Sequence, residues 1–164
     1  MNFYKVDKKY VDFLRNAEIE ERGESYIPML NYLPPQKEKF MCGIILRIGK
    51  TEYLAPVTSY TAQQPNNVLL YDTNGNVTSS IRLNYMFPIC SSYYTIYDFN
   101  KETDEKYRGV VRRERESANE QRELIRRTAI KTYQTVKALK SAGKLFNWAC
   151  DFELLEKAAE KYKP

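Results

Sequence analysis

The sequence contains no histidine, and only three of its 164 residues are cysteine. Histidine is the side chain that most often carries protons near neutral pH, so its absence removes the usual general acid or base. A cysteine–histidine nucleophile pair is excluded outright. Cys42, Cys90 and Cys150 lie far apart in sequence, which favours neither a zinc site nor a disulfide framework. We expect all three to be small buried side chains in a reducing compartment.

Long hydrophobic segments are also missing. No run of about 18 apolar residues is present, so the sequence predicts no transmembrane helix. Residues 1–5 lack the apolar region of a signal peptide, and we expect a cytosolic protein. A chain of 164 residues with 43% hydrophobic residues is expected to form a single domain, 1–164, whose core needs neither disulfides nor metals.

Positive charge is concentrated in one part of the chain. The net charge is +5, and residues 101–144 carry 13 lysines and arginines against seven acidic residues. This segment therefore has a net charge of +6, and the remainder of the chain has a net charge of −1. Such one-sided charge indicates a polyanionic partner.

The first two thirds of the chain have the pattern of an antiparallel sheet. The predicted strands are residues 3–6, 40–48, 53–57, 68–71 and 77–83, with 93–99 as a last strand or an irregular aromatic segment. Residues 49–50 and 72–76 are turn signals, and Pro88 belongs at a sheet edge or bulge. Asp7 is the predicted N-cap of a short helix, and residues 18–37 are predicted to be a loop.

The last third is predicted to be helical. One long helix is expected from about residue 104 to 142, and a second from about 151 to 162. An apolar stripe on the long helix is formed by Val111, Ala118, Ile125, Ala129, Val136 and Leu139. A second stripe, roughly 80° around the same helix, is formed by Arg108, Arg112, Arg115, Arg122 and Arg126. The predicted fold class is α+β, with a small antiparallel β core and packed helices.

Two hydroxyl side chains end the most informative strand. Residues 53–59, Tyr-Leu-Ala-Pro-Val-Thr-Ser, predict a strand that finishes on Thr58 and Ser59. Hydroxyls held at a strand end can donate hydrogen bonds to a phosphate or carbonyl oxygen of a substrate. On pattern alone, a turn or a helix cap is the more common role of such a pair.

Four further segments, together with this one, resemble a known family. They are Phe3-Tyr4, residues 40–46 (Phe-Met-Cys-Gly-Ile-Ile-Leu), residues 81–89 (Ile-Arg-Leu-Asn-Tyr-Met-Phe-Pro-Ile) and residues 150–156 (Cys-Asp-Phe-Glu-Leu-Leu-Glu). In order and spacing they are similar to motifs of the ToxN/AbiQ endoribonuclease toxins of type III toxin–antitoxin and phage abortive-infection systems. The family motifs read aromatic-x-Gly-Ile-Val-Leu, Tyr-x-Ala-Pro-Leu-Thr/Ser-Ser, Ile-Asn-Leu-x-x-Met-Ile-Pro and Cys-Asp-Phe-x-x-Leu-Glu.

The resemblance implies a compact, barrel-like antiparallel sheet similar to the MazF/Kid-type toxins, with helices added. The family often places a lysine two residues after the second hydroxyl, where this chain has Thr61. The segment before Phe40 is also a few residues longer than in close ToxN relatives. These departures indicate a divergent branch, for which the CptN group is a candidate.

The resemblance also implies site residues and a reaction. Without a histidine, RNA cleavage by attack of a 2′-OH on the adjacent phosphate must rely on lysine, arginine, tyrosine and hydroxyl groups. The family's active-site lysine corresponds to Lys39, with Lys37 as the rival, and its hydroxyl pair corresponds to Thr58 and Ser59. Tyr32 matches a functional tyrosine of the family only if a gap is allowed in the alignment. A role in the core and a role in function are given equal weight for this residue.

The partner implied by the resemblance is an RNA antitoxin made of tandem repeats that fold into small pseudoknots. The arginine stripe is expected to contact that RNA, although acidic neighbours would also allow a solvated helix face. We expect no cofactor, no metal and no protein antitoxin, and a closed protein–RNA assembly. The alternatives are a non-catalytic RNA-binding module and a MazF-like toxin with an acidic protein antitoxin.

Overall fold

The computed structural model describes residues 1–29 and 42–163, with the backbone alone at Cys42. No helix within those ranges is long and apolar enough to cross a membrane. The strands are β1 (Tyr4–Val6), β2 (Cys42–Ile48), β3 (Thr51–Thr58), β4 (Asn67–Tyr71), β5 (Val77–Arg82), β6 (Phe87–Pro88) and β7 (Tyr94–Ile96). The helices are α1 (Lys8–Arg22), α2 (Glu105–Glu120), α3 (Arg122–Ser141) and α4 (Phe152–Lys161).

The strands form one antiparallel sheet in the order β4-β5-β3-β2-β1-β7, and β6 pairs with β3. Helices pack on it from both ends of the sequence, so the predicted α+β class is confirmed. The sheet is open rather than closed into a barrel, and β4 and β7 are its two ends in the described chain. The segment 93–99, left open between strand and irregular structure, contains β7 as a short edge strand.

Strand β3 lies at the centre of the sheet and is buried on both faces. It pairs with β2 along one edge and with β6 and then β5 along the other. The Tyr53 hydroxyl donates a hydrogen bond to Glu156 of α4, and burial raises the pKa of Tyr53 well above its usual value. Gly43 pairs with Pro56, so the beginning of β2 lies beside the end of β3 that carries Thr58.

Gly43 is required by the close approach of β2 and β3. A Cβ atom at this position would lie 2.5 Å from the Ala55 carbonyl oxygen and 2.6 Å from a methyl carbon of Leu54. The backbone oxygen cannot rotate away, so any side chain at position 43 would force the central strands apart.

Helix α1 is longer than predicted. Asp7 caps it as expected, accepting a hydrogen bond from the Tyr10 backbone N–H at 2.9 Å. The helix then continues to Arg22, although the sequence predicts a loop from residue 18. It ends where Gly23 adopts a left-handed conformation, φ 79°. The prediction was wrong because the charged residue Glu18 faces the interior, where its carboxylate is fully hydrogen-bonded, in part by the distant Asp151 backbone.

The predicted single helix over residues 104–142 is two helices that meet at Gln121. The Gln121 backbone leaves helical geometry, with ψ 16°, and its side-chain amide donates to the Leu69 carbonyl of β4 at 2.8 Å. This contact anchors the junction to the sheet. The apolar stripe is nevertheless buried or half-buried along both helices. The arginine stripe is divided: Arg108, Arg112 and Arg115 lie on α2, and Arg122 and Arg126 lie on α3.

A buried ion pair joins α1 to the C-terminal part of the chain. Glu18 is fully buried and accepts hydrogen bonds from Arg22 at 2.8 Å and from the Asp151 backbone N–H at 2.7 Å. It also accepts from the Ser25 hydroxyl at 2.7 Å and from the Tyr26 backbone N–H at 3.1 Å. Asp151 in turn caps α4 through the Leu154 backbone N–H, and the helix begins where it was predicted to begin.

The cysteines differ from the expectation of uniform burial. Cys150 is buried, and burial raises the pKa of its thiol. Cys90 is exposed, because it lies after β6 where the chain leaves the core. Hydrogen bonding to Ser92 and Ser91 lowers the pKa of the Cys90 thiol.

We expect Gly43→Ala to destabilise the fold by about 1–3 kcal/mol or more, because the new methyl group would overlap the β3 backbone. The matched control is Gly109→Ala in α2, where a Cβ meets no atom within 4 Å. That variant should gain about 0.5–1 kcal/mol from helix propensity. Chemical denaturation measures both free energies of unfolding. Equal stabilities for the two variants would contradict the steric account.

Glu114 of α2 predicts a pH dependence of stability. Burial raises the pKa of this carboxyl, and the hydroxyls of Ser79 and Thr78 oppose the rise in part. The folded chain then binds the proton more tightly than the unfolded chain, so stability is lost as pH rises through the folded-state pKa. Glu114→Gln has no carboxyl to titrate and avoids this loss. The free energy of unfolding of Glu114→Gln minus that of the natural protein should therefore increase as pH rises from about 4 to about 7.

The control for Glu114 is Glu120→Gln, an exposed carboxyl at the end of the same helix. Denaturation curves recorded across this pH range should show a larger change with pH for Glu114→Gln than for Glu120→Gln. A constant difference for Glu114→Gln would mean that the carboxyl of Glu114 titrates equally in both states.

Candidate functional site

The predicted hydroxyl pair lies at the end of β3. Thr58 is the last residue of the strand and pairs with Ser80 of β5, and Ser59 is exposed immediately after it. The Thr58 Oγ1 atom is buried and has no hydrogen-bond partner within the described residues. A buried hydroxyl without a partner is a group that a bound ligand could satisfy.

A fixed loop follows the hydroxyl pair. The buried Asn67 side chain accepts from the Gln64 backbone N–H at 2.8 Å and donates to the Ala62 carbonyl at 2.9 Å. The Ser80 hydroxyl donates to the Tyr60 carbonyl at 2.6 Å, which holds the start of the loop against β5. The loop from residue 59 to 66 therefore has a defined shape beside Thr58. A groove of about 510 Å³ lies between this loop and α3.

Three predicted site residues, Tyr32, Lys37 and Lys39, lie outside the described residues. The structure brings Thr58 and Ser59 together but gives no position for the lysine expected to act with them. Lys39 precedes Cys42 by three residues, and β2 begins beside the end of β3.

The predicted RNA-binding arginines have varied surroundings. Arg108 pairs with Glu105 at 3.5 Å, and Arg115 lies over the Phe99 ring with its guanidinium carbon 4.8 Å from the centroid. Arg122 donates to the Asn119 side chain at 3.3 Å. Arg112 and Arg126 are exposed. The five guanidinium groups, some exposed and some half-buried, thus lie on both sides of the junction of α2 and α3.

A stack of aromatic and guanidinium groups near Thr58 was not predicted from the sequence. The Arg82 guanidinium lies between the Tyr60 and Tyr85 rings, 4.4 Å from each centroid. We call these three residues the tyrosine–arginine stack. The one signal for it in the sequence is Arg82 itself, which replaces the asparagine of the Ile-Asn-Leu motif.

The stack continues to the buried ion pair. Tyr85 stacks on Tyr26 with centroids 6.3 Å apart, and the Arg22 guanidinium lies 5.3 Å from the Tyr26 centroid. Arg22 is the partner of Glu18 and also donates to the Ala149 and Phe146 carbonyls at 2.9 and 2.6 Å. The ion pair therefore fixes the inner end of a series whose outer end is Tyr60.

Acidic and sulfur ligands do not converge at this site. In the ranges 1–29 and 42–163, no group of three or more histidine, cysteine, aspartate and glutamate side chains is arranged to hold a metal ion. The groups that converge here are hydroxyls, tyrosine rings and a guanidinium, which suit contacts to phosphates and bases.

The family described as "Toxin ToxN, type III toxin-antitoxin system" matches residues 2–160. The chain belongs to this family. The resemblance stated from the five sequence segments is thereby confirmed. Endoribonuclease ToxN of Pectobacterium atrosepticum is 28% identical over 176 residues, which cover 99% of this chain and 92% of that protein.

Solved structures of related toxins have the same fold. One comes from work on a processed non-coding RNA that regulates a bacterial antiviral system. It has a TM-score of 0.79 at 20% identity and covers all of both chains. Another is AbiQ, a lactococcal anti-phage endoribonuclease of a type III system, with a TM-score of 0.72 at 15% identity over 97% of this chain and 95% of that chain.

We expect Glu18→Ala to destabilise this ToxN-family chain by about 3–5 kcal/mol, because it leaves the largely buried Arg22 without its counter-charge. Glu20→Ala, an exposed carboxylate on the same helix, is the control and should change stability by less than about 0.5 kcal/mol. Urea unfolding at pH 7 compares them. If Glu18→Ala lowered the free energy of unfolding no more than Glu20→Ala, the ion pair would not be important for stability.

Proposed function

We propose that this chain is an endoribonuclease toxin held inactive by a repetitive RNA antitoxin. The observation that carries the proposal is the family match over residues 2–160. It is supported by the two relatives named as endoribonucleases. A further relative was solved in work on selective toxin inhibition by a non-coding RNA pseudoknot, with a TM-score of 0.78 at 21% identity over 98% of this chain and 96% of that chain.

The reaction is a transesterification at phosphorus. The 2′-OH attacks the adjacent phosphate, the bond from phosphorus to the 5′ oxygen breaks, and the products end in a 2′,3′-cyclic phosphate and a 5′-OH. A base takes the proton of the 2′-OH, and an acid protonates the departing 5′ oxygen. No histidine exists to do either, so lysine, tyrosine, hydroxyl groups and substrate positioning share the work, without a metal ion.

Thr58 and Ser59 hold the scissile phosphate through their hydroxyls. The unpartnered Thr58 Oγ1 at the end of β3 supports this role, because substrate oxygens would supply the missing hydrogen bond. Lys39 binds the phosphate or protonates the leaving oxygen, with Lys37 as the rival lysine. Tyr32 stacks on a base or assists proton transfer.

The antitoxin RNA is bound by the arginines of α2 and α3, which provide phosphate contacts and stacking surfaces for unpaired bases. The toxin trims the antitoxin precursor into single repeats and assembles with them into a closed complex. The concentration of positive charge in residues 101–144 supports this arrangement.

The first test of the proposal is cleavage itself. Mixed RNA incubated with the full chain in EDTA should give fragments with 5′-OH and 2′,3′-cyclic phosphate ends, identified by end-specific ligation and mass spectrometry. Thr58→Val and Ser59→Ala should each lower the cleavage rate about 100- to 1,000-fold, as expected when one donor to a developing negative charge is removed. Lys39→Ala should abolish cleavage.

The matched control is Thr95→Val, which removes an exposed hydroxyl from the edge strand β7 and should leave cleavage unchanged. If the protein binds the RNA tightly and leaves it intact, the result would support a non-catalytic RNA-binding module instead of an enzyme. Cleavage that requires a divalent metal ion, or that survives loss of both hydroxyls, would contradict the proposed chemistry.

A further inference from the structure

The tyrosine–arginine stack lies on the same side of the sheet as the Thr58 side chain. Thr58 pairs with Ser80, and Arg82 follows two residues later in β5, so the three side chains point to one face. Ile81, between them, points into the core and is fully buried. Because the Ser80 hydroxyl holds the Tyr60 carbonyl, the Tyr60 ring closes over Arg82 next to Ser59.

Within residues 1–29 and 42–163, Arg82 is a cation without a paired acid. No carboxylate of the described residues forms an ion pair with it, and its Nε donates to the Asn84 side-chain oxygen at 3.4 Å. Both rings lie against the guanidinium, and neither of its terminal nitrogens donates a hydrogen bond to a group of the described residues. A guanidinium held in this way is suited to bind phosphate oxygens.

Arg22 provides an internal comparison. It also lies against two rings, Tyr26 and Phe146, but Glu18 neutralises it and its side chain is only 17% exposed. That arginine has a structural role. Arg82 has the ring contacts without the carboxylate, and the adjoining Tyr60 is 38% exposed, so a ligand can reach this end of the series.

The stack is also organised in advance. Asn84 is buried, donates to the Trp148 carbonyl at 2.5 Å and accepts at its own carbonyl from the Cys150 backbone N–H at 2.9 Å. It therefore fixes the turn that carries Tyr85, while Asn67 fixes the loop that carries Tyr60. Little conformational freedom would be lost when a ligand binds.

We propose that Tyr60 and Arg82 form a subsite for one nucleotide of single-stranded RNA, adjacent to the cleaved phosphate. The Tyr60 ring stacks on the base, and the Arg82 guanidinium binds that nucleotide's phosphate. Tyr85 holds Arg82 from the other side. The subsite rests on the proposed RNA-cleaving function and adds to it the group that positions the substrate.

The test measures cleavage of a short single-stranded RNA with one mapped cut by the full-length protein. Tyr60→Ala and Arg82→Gln should each raise KM about tenfold and change kcat by less than about threefold, because the subsite binds substrate without reacting. Tyr60→Phe should raise KM less than Tyr60→Ala does, because it keeps the ring and loses only the hydrogen bond that the Tyr60 hydroxyl accepts from Gln64. The Tyr60→Ala variant should also lose preference for the base next to the cut.

Salt dependence separates phosphate binding from a structural role. A lost phosphate contact to a single strand should lower the slope of log KM against log salt concentration by about 0.7 in Arg82→Gln. The control is Arg47→Gln, an exposed arginine near the other end of the β2–β3 pair, which should leave KM and its salt slope unchanged. Thermal unfolding shows whether each variant is folded. If Arg82→Gln is unfolded, Tyr60→Ala, which changes a surface loop, still tests the subsite.

The outcomes distinguish this subsite from the proposed function. Cleavage by both variants with natural KM, salt slope and base preference overturns the subsite and leaves the endoribonuclease intact. If the natural protein binds RNA without cutting it, Kd replaces KM as the measured quantity. An increase of about tenfold in Kd for Tyr60→Ala and Arg82→Gln then supports the subsite, although the proposed cleavage activity fails. A natural protein that neither cuts nor binds single-stranded RNA overturns both.

Discussion

The buried carboxylate of Glu18 is the constraint on which the rest of the arrangement depends. Its partners come from α1, from the segment after that helix and from the start of α4. A charge removed from water is tolerable only when paired and hydrogen-bonded, so these elements must meet in one geometry. Arg22 packs on the Tyr26 ring, Tyr26 stacks on Tyr85, and the Arg82 guanidinium lies against Tyr85. The position of Arg82 therefore depends on the position of the ion pair. A stability element in the interior thereby positions a cation at the candidate site.

The absence of histidine gives the site its chemical character. A hydroxyl pair can donate hydrogen bonds but cannot exchange protons readily at neutral pH, so the reaction proposed for this chain relies on placement of the phosphate. Fixed groups are favourable for such a mechanism because they need no reorganisation as charge develops. The defined loop after Ser59 and the unpartnered Thr58 hydroxyl at the end of β3 fit this requirement.

Sequence patterns predicted the parts of the structure that depend on neighbours in the chain. The Asp7 cap, the start of α4 near residue 151, the turn at residues 72–76 and the strands around Gly43 and Pro56 all follow from local signals. Glu18 and Gln121 were misjudged because each has one partner, Asp151 and Leu69 respectively, that is more than 50 residues away. The tyrosine–arginine stack was missed because it joins a loop, a strand end and a turn that meet only in the folded chain. The roles of Tyr32, Lys37 and Lys39 stay predictions.

The most direct measurement of the central claim is a crystal structure of the protein with a substrate RNA that lacks the attacking 2′-OH. The account predicts the scissile phosphate within about 3 Å of the Thr58 and Ser59 hydroxyl oxygens, with the Lys39 amine on the same phosphate. A phosphate bound elsewhere on the protein, with Thr58 and Ser59 making no contact to RNA, would contradict it.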